Sequence, residues 1–189
     1  MKESKFYKLI RPLVKVFTHI FIHPTYVGIS NLPNDGAFIL AGNHTSILDP
    51  LVLISATKRE IHFLAKDELW SGWKKIVFSN LGLIPVNRRE KDKFALKEAK
   101  KYLKNGMVIG IFPEGTTNKK EELLPFKIGA VKMAYDTNTK IVPFSITGDY
   151  GLFKKVMVSF GEPIFILSSD LEAENNKLKN IIKNIKKEK

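Results

Sequence analysis

The stretch AGNHTSILDP, residues 41–50, sets His44 five positions ahead of Asp49, among Asn43, Thr45 and Ser46 and directly after an apolar run. A histidine and a carboxylate brought together by one turn can act as a base and its orienter. The carboxylate would hold one ring nitrogen as N–H, leave the other free to take a proton, and stabilise the imidazolium that forms. The same residues can instead cap a helix. Ser46 or Asp49 suits the cap position, and Pro50 suits the first helical position if Asp49 is the cap. Spacing alone does not choose, because H-x-x-x-x-D is a weak pattern.

Three further polar stretches also follow apolar runs. In GLIPVNRRE, Arg88 and Arg89 have the planar fork that clamps a phosphate or carboxylate, or they are two solvated arginines opening a charged helix. In VIGIFPEGTTN, Gly115 would let backbone approach a ligand and Glu114 would accept hydrogen bonds from substrate hydroxyls. A type I or II turn with Pro113 setting φ accounts for the same stretch, although a turn needs no glutamate. In LLPFKIGAVKMA, Lys127 offers a further positive charge and Gly129 a close helix contact.

The elements that must position these residues are legible as alternating patterns. Strands are expected at 27–30, 37–41, 61–65, 83–86, 107–111, 141–146 and 155–160, and helices at about 47–57, 72–80, 91–104 and 127–136. The alternation predicts a single α/β domain, a largely parallel central sheet flanked by helices. The runs at 37–41 and 107–111 are apolar at nearly every position, as strands covered on both faces should be. Ligands of such sheets bind beyond the carboxyl ends of the strands, where the four polar stretches fall. Pro143 is expected at a strand end or a bulge. The closing stretch SSDLEAENNKLKNIIKNIKKEK reads as a packed helix with a lysine-rich end, Ser169 and Glu172 having capping-box spacing. The expected organisation is therefore a helix over 1–24, an α/β core over 25–167 and the terminal helix over 168–189.

The chain has 189 residues, 44% of them hydrophobic, enough for one substantial core. It has no cysteine, so disulfide frameworks and cysteine metal sites are excluded. Its four histidines show no ligand spacing, and no metal is expected. The formal net charge of +12 implies an anionic partner: nucleic acid, an anionic membrane surface, or a phosphorylated or acidic substrate. No nucleic-acid-binding motif accompanies the charge, so nucleic acid is not the expected partner. In the first helix Phe6, Leu9, Ile10, Leu13, Val14, Phe17, Ile20 and Phe21 recur at helical spacing, with Lys5, Lys8, Arg11, Lys15 and Thr18 on the other side. Arg11 and Lys15 interrupt every apolar run, which excludes a transmembrane span or signal-peptide core. Two readings fit: an amphipathic helix in the membrane interface, or one that packs its stripe on the domain's own core.

Taken together and in order, these stretches resemble the glycerolipid acyltransferases of the lysophosphatidic acid acyltransferase family, over about residues 37 to 147. NHTSILDP is similar to the family's N-H-x-S-x-x-D block, GLIPVNR to its arginine-ending second block, FPEGTTN to F-P-E-G-T-R-S, and IVPFSI to its apolar-Pro block. The resemblance implies that His44 is the general base, oriented by Asp49 and supported by Asn43 and Ser46. Arg88 matches the phosphate-binding arginine, Glu114, Gly115 and Thr116 would bind the glycerol phosphate, and Lys127 falls in the F-K-x-G segment that often follows. The pattern is broken at Thr117 and Asn118, where arginine and serine are usual. The implied reaction moves an acyl chain from a thioester, on acyl carrier protein or coenzyme A, to the free hydroxyl of lysophosphatidic acid, giving phosphatidic acid. No permanently bound cofactor is expected, and the oxyanion donors are sought among backbone N–H groups of the 42–46 turn. This chemistry favours the membrane reading of the first helix: a peripheral or monotopic enzyme on the cytoplasmic face, touching anionic lipid and an acidic carrier protein. The alternatives are another acceptor (a different lysophospholipid, glycerol phosphate or a lyso-aminolipid) or a membrane-binding protein without activity.

Overall fold

The computed structural model describes residues 4–66, 82–86, 93–151 and 154–187. Along them run α1 (Lys5–Phe21), β1 (Thr25–Val27), a short 3-10 turn (Ile29–Asn31), β2 (Phe38–Gly42), α2 (Asp49–Ala56), β3 (Ile61–Lys66), β4 (Ile84–Val86), α3 (Lys93–Lys104), β5 (Val108–Ile111), α4 (Gly129–Thr137), β6 (Ile141–Gly148), β7 (Val156–Phe160) and α5 (Leu171–Lys187). Among the described residues the strands form one sheet in the order β1-β7-β6-β2-β5-β3-β4. Every neighbouring pair is parallel except β6 with β7. The expected α/β class and largely parallel sheet are thus observed.

Alternation along the central strands sorts the core into two layers. Phe38 and Leu40 of β2 pack on one face with Tyr7 and Ile22 of the α1 region and with Val52 and Leu53 of α2. Ile39 and Ala41 pack on the other, with Ala95 and Ala99 of α3, Val131 and Met133 of α4, and Leu178 and Ile182 of α5. All five residues of β2 are buried, because helices cover both faces. Gly42 ends the strand against Phe144, whose ring and carbonyl lie 2.4 Å from where a Cβ would stand. Beyond it Asn43 continues the ladder with its side chain, accepting from the Ile146 N–H at 2.7 Å and donating to the Ile146 carbonyl at 2.8 Å.

Several local expectations are corrected. The first strand lies at Thr25–Val27 rather than 27–30, because Gly28 turns into the left-handed region (φ 66) and a Cβ there would meet the Phe160 carbonyl at 2.3 Å. Pro143 sits inside β6 rather than at its end or a bulge. Its carbonyl accepts from Gly161, and its missing N–H faces the side where β7 has already ended. The last helix is capped by Asp170, which accepts from the Ala173 N–H at 3.0 Å, and not by Ser169. The helix expected at 72–80 and the start of the one expected at 91–104 lie outside the described residues.

Helix α1 is capped by Ser4, whose Oγ accepts from Phe6 and Tyr7. It packs on α2 through a stripe that is not its most apolar one: Tyr7 and Thr18 are buried and Val14 is half-buried. Tyr7 donates to the Arg59 carbonyl at 3.0 Å, and Arg11, placed from sequence on the side opposite the apolar residues, donates to the Thr57 carbonyl at 2.5 Å. The apolar stripe itself faces outward, with Leu13 62%, Phe17 42%, Ile20 57% and Phe21 55% exposed. No helix among the described residues is long and apolar enough to cross a membrane.

Candidate active site

Strands β2, β5 and β6 lie side by side and run parallel, so the segments that leave them emerge at one edge of the sheet. From β2 comes Asn43–Asp49, from β5 Phe112–Asn118, and from β6 the turn that carries Tyr150. His44 Nδ1 lies 2.8 Å from Asp49 Oδ2. Asp49 is the first residue of α2 and fully buried. Its carboxylate turns back into the preceding turn: Oδ2 accepts from the Thr45 N–H at 2.6 Å and the Ser46 N–H at 3.0 Å. Oδ1 accepts from Thr45 Oγ1 at 3.1 Å and from the Tyr150 hydroxyl at 2.5 Å. A buried carboxylate requires such a set of donors, and when ionised it only accepts, so His44 Nδ1 carries the proton. That tautomer leaves Nε2 with its lone pair, and among the described residues nothing bonds to it.

The ring is held from the side as well. Phe112 stacks on His44 with centroids 4.0 Å apart and planes at 17°, and is backed by Phe63 and Phe144. His44 keeps 18% of its side chain accessible. The backbone around it is tied to the β5 segment: its N–H donates to Glu114 Oε1 at 3.3 Å, and its carbonyl accepts from the Asn118 N–H at 2.6 Å. Glu114 is buried and its other oxygen accepts from Asn118 Nδ2 at 2.8 Å and the Leu124 N–H at 2.9 Å. The side chain therefore braces two segments, with one lone-pair position on Oε1 left over.

The structure brings Lys127 to the same turn. Gly115 adopts φ 71, and a Cβ on it would lie 2.9 Å from Lys127 Cε and 3.0 Å from Nζ, so the missing side chain is the space the lysine occupies. Lys127 N–H also donates to the Pro113 carbonyl at 2.9 Å. Thr116 is exposed beside it. Ser46 accepts from the Leu48 N–H through Oγ at 3.2 Å, which is a turn-forming contact. Of the 42–46 turn, where oxyanion donors were expected, the N–H groups of His44, Thr45 and Ser46 all donate to carboxylates. Arg88 and Arg89 lie outside the described residues.

Sequence reasoning did not select Tyr150, the Phe112 stack or the bracing role of Asn118. Tyr150 follows the end of β6 at the functional edge of the sheet, and that placement is the one signal that pointed to it. Burial, and secondarily the Asp49 carboxylate beside it, pushes the Tyr150 phenol pKa upward, so it stays a neutral donor.

The acyltransferase family model matches residues 23–147 of the chain. The 1-acyl-sn-glycerol-3-phosphate acyltransferase of Borreliella burgdorferi is 36% identical over 143 residues, 74% of this chain and 57% of that protein. The enzyme of the same name from Bacillus subtilis is 33% identical over 141 residues, 71% of this chain and 70% of that protein. The chain spans little more than half the length of several such relatives. The crystal structure of the 1-acyl-sn-glycerophosphate (LPA) acyltransferase, PlsC, from Thermotoga maritima superposes with a TM-score of 0.81 at 29% identity, covering 96% of this chain and 78% of that one.

Proposed function

This chain belongs to the acyltransferase family, and on that premise we propose that it moves a fatty acyl chain from an acyl thioester to the free hydroxyl of 1-acyl-glycerol-3-phosphate, giving phosphatidic acid. The observation that carries the reading is the His44 ring: Nδ1 is fixed on buried Asp49 while Nε2 is left as a base in a partly open site. The acceptor hydroxyl gives its proton to Nε2 as its oxygen attacks the thioester carbonyl. The tetrahedral intermediate collapses, the C–S bond breaks as the ester forms, and the imidazolium returns its proton to the departing thiolate. Asp49 stabilises the imidazolium between these steps. No covalent acyl-enzyme is needed, and the turn-forming contact of Ser46 suits a capping or positioning role for that hydroxyl.

Lys127, with Thr116 and Gly115 on the adjoining turn, supplies the phosphate side of the acceptor site together with Arg88. Glu114 acts chiefly by holding the turn. Thr117 in place of the usual arginine favours a second reading within the same mechanism, in which another lysophospholipid, glycerol phosphate or a lyso-aminolipid accepts the acyl group. The donor is acyl-acyl carrier protein or acyl-coenzyme A; the net charge of +12 suits an acidic carrier. The outward apolar stripe of α1, with Lys5, Lys8 and Lys15 exposed on the same helix, supports a peripheral or monotopic location on an anionic, cytoplasmic membrane face.

The test is thiol release from a long-chain acyl thioester in mixed micelles, with and without lysophosphatidic acid, for wild type and His44→Ala. Acceptor-dependent release that falls about 10²–10⁴-fold in the variant is expected. Release with other lysolipids but not this one would transfer the mechanism to the second reading, and no release with any donor or acceptor would end both.

A further inference from the structure

We propose that Tyr150 is a positioning residue of this site, its hydroxyl fixing the Asp49 carboxylate and setting how much negative charge His44 meets. The inference rests on the reading of His44 as the base. It starts from a division of labour at Asp49. The partners of Oδ2, His44 Nδ1 and the Thr45 and Ser46 N–H groups, all belong to the turn that Asp49 itself closes. Together with Thr45 Oγ1, the other donor to Oδ1, they set the carboxylate within that turn. Glu114 and Asn118 hold the turn's backbone to the β5 segment, and none of these groups reaches it from the β6 side. Tyr150 comes from a different strand end and reaches Oδ1 at 2.5 Å, with its ring packed against the core layer that also holds α2. It therefore ties the first residue of α2 to β6, and with it the rotation of the carboxylate.

A hydroxyl that donates to a carboxylate also draws charge away from the oxygen facing its other partners. Removing the hydroxyl leaves Asp49 a stronger counter-ion, which favours the protonated ring and keeps the base occupied to higher pH. The titratable groups around the pair, among the described residues, are Tyr26 from β1, Glu114 after β5, Lys127 at the Gly115 turn and Tyr150. Of these, Tyr150 is the one bonded to the Asp49 side chain. Tyr26 instead donates to the Val52 carbonyl at 2.9 Å and meets Ser55.

The experiment is the pH profile of kcat/KM for thiol release, measured with thermal midpoints on wild type, Tyr150→Phe and Tyr26→Phe. The acidic limb of Tyr150→Phe should move to higher pH by about half a unit or more, with kcat reduced about 10-fold. Tyr26→Phe should lower the midpoint and leave the limb in place. Difluorotyrosine at position 150 keeps the shape and strengthens the donor, so its limb should move to lower pH; this arm decides the matter if Tyr150→Phe does not fold. An unmoved limb in both Tyr150 variants, or an equal movement in Tyr26→Phe, overturns the proposal and leaves Tyr150 a packing residue. If His44→Ala retained full activity, it is the base assignment that would fall; loss in His44→Ala with an unmoved Tyr150 limb removes this inference alone.

Discussion

At the level of single residues, the proposed site divides into groups left for substrate and groups that hold them. Among the described residues His44 Nε2 and Lys127 Nζ have no bonded partner, whereas Asp49, Glu114 and Asn118 bond their polar atoms to the protein. Glu114 provides the sharpest test of that division. Replacing it by alanine removes one acceptor from each of three donors: the part-buried His44 and Leu124 N–H groups, and Asn118 Nδ2, which keeps the Glu122 carbonyl. The expected cost is about 1–3 kcal/mol, since only donors that lose their partner away from water carry a desolvation penalty. Glu114→Ala should therefore lower the thermal midpoint by several degrees and depress kcat. A raised KM at unchanged midpoint would show a side chain used on substrate instead. The pair His44 and Asp49 was legible in the sequence once the other three stretches stood beside it, since its spacing alone suits a helix cap as well. Tyr150 was not, because its bond to Asp49 closes over about a hundred residues and no local pattern announces a contact made by the assembled sheet.

At the level of elements, the strands and helices read from periodicity that fall among the described residues were found close to their expected places, since burial on both faces leaves a continuous apolar signature. What periodicity missed were the joints. Gly28 ended the first strand early through its φ, and Pro143 was accepted inside a strand whose neighbour had stopped short of it. Both depend on the partner strand rather than on the segment itself. The joint between α3 and α4 makes a pH-dependent prediction. Asp136 is bonded to Lys100 and lies 3.4 Å from Lys132, and the Lys100 hydrogen bond holds its carboxyl below the usual range. A lowered folded pKa means that the stabilisation is complete above the unfolded carboxylate value, about 3.9, and fades as pH falls through the folded one. Asp136→Asn should thus lower the midpoint at neutral pH by about 1–2 °C at most, since such a partly exposed pair contributes up to about 0.5 kcal/mol. The difference should vanish in strong acid, and one that persisted there would assign the effect to packing.

At the level of the whole molecule, α1 turns its less apolar stripe toward the protein and its more apolar one away, which is the reverse of a helix that serves its own core. Phe17→Glu with Phe21→Glu should weaken binding to anionic vesicles by more than about 10²-fold, since each buried phenylalanine contributes roughly 1.5–3 kcal/mol. The thermal midpoint in solution should stay put, because both rings face solvent. A fall in the midpoint with vesicle binding intact would place the stripe against the protein after all. The sheet carries a further consequence. β1 pairs with β7, its partner about 130 positions later in the chain. At a synthesis rate of about 5–20 residues per second, β1 waits on the order of ten seconds for the strand that will anchor it. For most of that interval the inner stripe of α1 has no finished sheet to pack on, whereas its outer apolar stripe is uncovered before and after folding alike.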